Sequence, residues 1–364
     1  MIYFNSDYTA GAHPKVLERL VETNLEHTVG YGNDNYTAHA KELIRHEIGC
    51  EDAEVMFLVG GTQTNATAID GILARHEGVL AAESGHIAVH ESGAIEASGH
   101  KVLTLPHYDG KVRAEDVQHF IEEFYADETY PHMVAPGMLY TSQPTEYGTV
   151  YSLKELEALS AVCHKHNIPL YIDGARMGYA LAAEGADFTL RDIARLADVF
   201  YIGGTKLGTL FGEALVVTNR ALLKNLFPLV KQHGALLAKG RLSGVQFEAM
   251  FSDGLYYEIG RHAVALALRI REAFRAKGKE FDSIIKMGRT QLQDAVPVRL
   301  GQEFGAYRCA VKRDIKRFDM AIEELSHVNM GGTAIGTALN ANPEYVEALA
   351  PTIAEISGLP VVKA

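Results

Sequence analysis

The chain has 364 residues, 47% hydrophobic and 22% charged, an ordinary globular balance that can bury a large core in two or three domains. Its formal net charge of -12 argues against a nucleic-acid or anionic-membrane surface, because phosphates are bound through clustered Lys and Arg. The three cysteines, Cys50, Cys163 and Cys309, lie far apart without CxxC spacing, so neither a disulfide framework nor a zinc cluster is legible and a reducing compartment is expected.

The N-terminus MIYFNSDYTAG lacks the basic-then-apolar profile of a signal peptide. No run reaches the roughly 20 apolar residues that cross a bilayer, so a cytoplasmic chain without membrane partners is expected. From about residue 50 to 220, short apolar runs alternate with helical patterns, the signature of βαβ units and a mostly parallel sheet covered on both faces. The expected strands are Val55–Val59, Val102–Leu105, Gly137–Tyr140, Leu170–Ile172, Val199–Ile202 and Ala214–Val217. Ligands of such sheets bind outside the carboxyl ends of the strands, and the chemistry-bearing residues follow these runs.

After the first strand, Gly60-Gly61-Thr62-Gln63-Thr64-Asn65 opens a helix, whose free N–H groups and dipole can hold a phosphate; Gly61 and Thr62 are the candidates. The segment Glu83 to Gly93 carries His86 and His90, and an imidazole there can stack on an aromatic ring and move protons. Their spacing also suits a metal on a helix face, but no third ligand is evident and no metal is expected. Farther on, Pro169-Leu-Tyr-Ile-Asp173-Gly-Ala-Arg176 ends a strand with a carboxylate and then a guanidinium. Thr205-Lys206-Leu-Gly208 follows the next strand in a glycine-rich turn. A desolvated lysine can act as a Schiff-base nucleophile, an Asp at a strand end can hold a pyridine nitrogen protonated, and an arginine can pair bidentately with a carboxylate. Alone, Lys206 reads as a surface lysine and Asp173–Arg176 as a structural ion pair; together they assemble a site for pyridoxal phosphate (PLP).

Residues 260–277 read as an amphipathic helix with a glycine stop. Beyond about 281, Phe304, Tyr307, Val311, Ile315, Phe318, Ile322 and Leu325 recur every three or four residues, the pattern of a long bundle-like helix. The expected organisation is a region over 1–280, with its large-domain core at about 45–235, followed by a helical segment over 281–364.

With Gly-Gly-Thr, the His86 segment, Asp-Gly-Ala-Arg and Thr-Lys-Leu-Gly in this order, residues 1 to about 280 resemble the threonine aldolase/β-eliminating lyase family. The resemblance implies a fold-type-I PLP enzyme, α/β in class, with the cofactor on Lys206, Thr205 among its contacts, His86 stacked on its ring and Asp173 on its pyridine nitrogen. It places Arg176 on the amino-acid substrate, adds Ser6 of Ser6-Asp7-Tyr8, and implies a homodimer or homotetramer in which Tyr31 of Tyr31-Gly-Asn-Asp34 helps build the site across a subunit interface. The implied reaction cleaves a β-hydroxy-α-amino acid such as L-threonine to glycine and an aldehyde; another β-elimination on the same fold is the alternative. Where relatives carry a second histidine near the substrate hydroxyl, this chain reads Ser142-Gln-Pro-Thr-Glu146-Tyr-Gly148. Either Glu146 replaces that base or the substrate differs.

The C-terminal segment departs from this family. Lys286-Met-Gly-Arg-Thr-Gln-Leu-Gln-Asp294, Leu300-Gly-Gln-Glu-Phe304 and Asn329-Met-Gly-Gly-Thr-Ala-Ile-Gly336 resemble aspartate ammonia-lyases of the aspartase/fumarase superfamily. Thr290 and Gln291 match substrate-binding positions there, but the fragment lacks that superfamily's N-terminal domain and serine loop, so ammonia-lyase activity is not expected. The chain reads as a chimera joined near Glu280 to Asp282, lacking the aldolase C-terminal domain that should carry a second arginine for the substrate carboxylate. A catalytically impaired PLP-binding chain is therefore a further reading.

Overall fold

The computed structural model describes residues 6–290, 293–313, 327–328, 342–357 and 362–363. The chain divides into two compact units, Met1–Arg308 and Cys309–Ala364. The first is built on a seven-stranded sheet: β1 (Glu54–Leu58), β2 (Glu77–Ala82), β3 (Val102–Leu105), β4 (Ala135–Ser142), β5 (Leu170–Asp173), β6 (Val199–Gly203) and β7 (Glu213–Val217), in the spatial order β1-β7-β6-β5-β4-β2-β3. Every expected strand is present within two residues at its ends; β2 falls where the sequence shows only an apolar stretch.

β3, β2, β4, β5 and β6 pair in parallel, whereas β7 runs antiparallel to both β6 and β1. That reversal has a positional consequence. The first residue of β7, Glu213, pairs with Gly203 at the end of β6 and Leu58 at the end of β1, so it stands at the carboxyl edge of its neighbours. Both faces of the sheet are buried, with Leu80, Leu139, Ile172, Phe200 and Val216 in one apolar cluster and Val79, Met138, Val199 and Leu215 in the other. Strands buried on both faces read as continuous apolar runs, which is why they were legible.

The helix Gly61–Ile72 leaves β1 through Gly60, and the short helix His86–Val89 follows β2. The helix expected over 260–277 runs longer, Leu255–Glu280. After it comes a hairpin that periodicity alone did not place, β8 (Ile285–Thr290) against β9 (Gln293–Arg299), and then a helix, Leu300–Arg313. Thr290 closes β8. Gln291, the continuation of the long helical pattern through Leu325 and the Asn329 to Gly336 motif lie outside the described residues. In the second unit, His327–Val328 pairs in parallel with Val362–Lys363, and a helix spans Pro343–Ser357.

Candidate functional site

The carboxyl ends of β1, β2, β4, β5 and β6 converge on one cavity of about 330 Å³, within the range that holds small ligands. Its wall includes Gly61, Thr62, His86, His90, Glu146, Asp173, Arg176, Thr205 and Lys206, so residues singled out from sequence in separate segments of the chain are brought together. Ser6 and Tyr31 are not among its lining residues. Ser6 Oγ accepts the Tyr8 N–H at 3.5 Å, and it is Tyr8 that reaches the wall. Tyr31 lines a second cavity of about 230 Å³, with the Lys231 ammonium 4.7 Å from its ring centroid.

Lys206 owes its position to a tight turn. The N–H groups of Gly204 and Thr205 donate to the Gly212 carbonyl, and the Tyr179 hydroxyl donates to the Lys206 carbonyl at 2.5 Å. Gly208 sits at φ 107°, a left-handed conformation that side chains disfavour. Gly203 and Gly174 let the ends of β6 and β5 touch: a Cβ on Gly203 would stand 2.3 Å from the Ala175 carbonyl oxygen, and one on Gly174 2.0 Å from that of Tyr201.

Asp173 is 4% exposed, and three donors converge on its carboxylate. These are the Tyr140 hydroxyl at 2.6 Å, the Asn65 amide at 3.1 Å and the Ala175 N–H at 2.9 Å. The same Asn65 amide donates to Glu91 at 2.8 Å, while its oxygen accepts the Tyr171 hydroxyl at 2.8 Å. Glu91 Oε1 also lies 2.6 Å from His86 Nδ1, and that contact, outweighing burial, raises the imidazole above its ordinary pKa. On the opposite side Glu146 Oε1 accepts the Ser142 hydroxyl at 2.7 Å and the His86 N–H at 2.9 Å. Burial nevertheless raises the Glu146 carboxyl above the ordinary glutamate range.

Sequence reasoning missed two further carboxylates at the site. Asp7 forms a bidentate pair with Arg176, at 2.5 Å to Nε and 3.1 Å to Nη2. Burial would raise Asp7, but the guanidinium's hydrogen bonds and charge hold it below the usual range. Glu213, 4% exposed, accepts the Gly204 N–H at 3.0 Å and the Thr205 hydroxyl; burial outweighs both bonds and pushes its carboxyl up to about 8.

The cavity fits a phosphate-bearing aromatic cofactor. The helix Gly61–Ile72 begins at Gly60, whose Cβ position is open, and first-turn N–H groups have no partner within a helix. A buried carboxylate, an imidazole and a lysine share the wall, which is the donor set such a ring requires. Among the described residues no group of three His, Cys, Asp or Glu side chains could hold a metal ion, and no helix is long and apolar enough to cross a membrane.

A family model described as β-eliminating lyase matches residues 4–348. A low specificity L-threonine aldolase of Pseudomonas sp. (strain NCIMB 10558) is 31% identical over 262 residues, 71% of this chain and 74% of that protein. The solved structure of Leishmania major threonine aldolase superposes with a TM-score of 0.71 at 39% identity, covering 85% of this chain and 98% of the other. An aspartate ammonia-lyase of Bacillus subtilis (strain 168) is 57% identical over 95 residues, 26% of this chain but 20% of that protein. Two kinds of sequence are thus joined in one chain, as its motifs suggested.

Proposed function

Because the chain belongs to the β-eliminating lyase family, whose fold carries pyridoxal phosphate, we propose that it is a carbon–carbon lyase cleaving a β-hydroxy-α-amino acid such as L-threonine into glycine and an aldehyde. The observation that carries this reading is the convergence of Lys206, Asp173, His86 and the Gly61 helix start on one cavity. Pyridoxal phosphate, when bound, supplies the electron sink for the bond broken at the substrate's Cα.

The residues of the chain supply the rest. Lys206 would hold the cofactor through Nζ, with Thr205 beside it, and the Lys206 amine would move the proton at the substrate's Cα. Gly61 and Thr62 bind the phosphate through their N–H groups, and Asp173 keeps the pyridine nitrogen protonated. His86, on the cavity wall, would lie against the cofactor's ring. Arg176 orients the substrate carboxylate once Asp7 yields it, with Ser6 as a second contact. Glu146, its carboxyl raised by burial, takes the proton of the β-hydroxyl, the task a second histidine performs in the relatives this chain resembles. The chain acts as a homodimer or homotetramer: Tyr31 lies outside the cavity of its own chain, and it would enter the site of a second copy.

Absorbance of the purified protein before and after borohydride, with and without L-threonine, tests the reading. A visible cofactor band that borohydride bleaches while fixing the cofactor to the chain, lost in Lys206→Ala, and glycine release from threonine are expected. A band unchanged in Lys206→Ala would overturn the assignment. Faster release from serine or cysteine derivatives than from threonine would favour β-elimination instead. The ammonia-lyase-like C-terminus supports a second reading, a cofactor-binding chain without turnover, in which the band forms and no amino acid is consumed.

A further inference from the structure

Glu91 is wholly buried at its side chain, yet only one of its oxygens has partners. Oε1 accepts the Asn65 amide at 2.8 Å and faces His86 Nδ1 at 2.6 Å, while Oε2 is buried with no hydrogen-bond partner. A carboxylate removed from water is costly unless it is paired, so its position within bonding distance of the His86 imidazole on the cavity wall needs a compensating role. Asn65 supplies the other half of the arrangement. Its two amide hydrogens bridge Glu91 and Asp173, so the carboxylate behind His86 and the carboxylate at the end of β5 are joined through one buried side chain.

The geometry points to Glu91 as the positioning residue for His86. It holds the ring with Nδ1–H turned to the buried carboxylate and Nε2 as the nitrogen available to the cavity, and Asn65 couples that pair to Asp173. The inference rests on the proposed role of His86 as the ring-facing imidazole. An oxygen that already accepts the Asn65 amide is set to accept from Nδ1 as well, and no other partner reaches the ring nitrogens among the described residues. The remaining groups around His86 do not fix its tautomer. Glu146 accepts its backbone N–H, His90 stands 5.6 Å away between ring centroids, and Asp173 and Lys206 act on it through their charges in opposite directions. Glu91 contributes most to the raised imidazole pKa, so its charge also sets the pH at which His86 can exchange a proton.

The test reads the imidazole itself rather than turnover. Among the 16 histidines, the His86 ring signals are assigned in the holoenzyme by their loss in His86→Gln, and their nitrogen shifts are followed against pH. Above its midpoint the ring should carry its proton on Nδ1; a neutral ring protonated on Nε2 in the wild-type protein would overturn the inference, and this needs no variant of Glu91. In Glu91→Gln the His86 midpoint should fall by about one pH unit, the usual effect of losing an adjacent opposite charge. The pH profile of kcat should move with it, while Glu91→Asp restores part of the shift. An unmoved His86 midpoint in folded Glu91→Gln would also overturn the inference. If the imidazole behaves as expected but threonine is not cleaved, the lyase reading fails and the positioning role stands.

Discussion

Replacing Glu213 by Gln should stabilise the protein increasingly as the pH rises. In the folded chain burial lifts this carboxyl from an ordinary 4.5 to about 8, even though the Thr205 hydroxyl, the Gly204 N–H and the charge of Lys206 all favour its ionised form. Between those two values the native state retains a proton that the unfolded chain has released, so stability falls as pH rises through the window. The penalty is absent below the unfolded value and complete above the folded one. The interval is 8 - 4.5 = 3.5 pH units. At ~1.4 kcal/mol per unit the full penalty is at most about 5 kcal/mol. Glutamine keeps an oxygen for the Gly204 N–H but never ionises, so the variant escapes the penalty at the cost of a weaker acceptor. Urea denaturation of wild-type and Glu213→Gln holoenzyme, compared from about pH 5 to about pH 9, reads the difference directly. The two stability curves should diverge with rising pH, by more than about 2 kcal/mol across the range. Parallel curves would show that Glu213 ionises in the folded protein as readily as in the unfolded chain, and the argument from its burial would fail.

Three other perturbations follow from the same site. Asp7→Ala should free Arg176 for the substrate carboxylate; because both side chains of the pair are about a third exposed, its strength is discounted to about 1 kcal/mol, and KM for the amino acid should fall roughly fivefold. A KM that rises instead would mean Asp7 holds Arg176 in position rather than competing for it. Tyr140→Phe strips Asp173 of its closest donor, a bond to a charged group worth about 1.5 to 3 kcal/mol, and should weaken cofactor retention measured by dialysis and absorbance. Unchanged retention would contradict the role given to Asp173. Gly178→Ala would put a methyl 2.1 Å from Leu207 Cδ2, beside the Lys206 turn, and should lower stability by about 1 to 3 kcal/mol in calorimetry; an unchanged Tm would show that the turn can yield.

What the sequence revealed and what it hid divide along physical lines. The strands were legible because both sheet faces are buried, and the residues just after β1, β5 and β6 were legible because their types have few structural uses in that order. Glu213 was hidden by direction. It begins a strand rather than following one, and only the antiparallel sense of β7 carries it to the carboxyl edge. Asp7 was hidden by distance, 169 positions from the arginine it pairs with. Tyr140, Tyr171 and Tyr201 read as ordinary apolar strand residues, yet all lie in one cluster on the same side of the sheet, and two of their hydroxyls terminate on Asp173 and Asn65. Burial raises all three phenols well above their ordinary pKa, so Tyr140 and Tyr171 serve as neutral donors to Asp173 and Asn65.

The distribution of the site along the chain bears on what the C-terminal exchange can have changed. Every lining residue of the cavity falls between Tyr8 and Glu213, well before the stretch that matches aspartate ammonia-lyase. The groups proposed to hold the cofactor are therefore all encoded by the aldolase-like part. Carboxylate recognition is different. Arg176 is the one guanidinium on the cavity wall among the described residues and it is already paired with Asp7; the second arginine that the family resemblance implies is expected in the C-terminal region that here resembles aspartate ammonia-lyase. Cofactor binding and substrate binding should consequently separate in this chain, with cofactor affinity retained and the amino acid bound weakly. Restoring an aldolase C-terminal domain after residue 280 should then lower KM while leaving the cofactor band unchanged. A change in the cofactor band with KM unaltered would place the effect of the exchange on the PLP site instead.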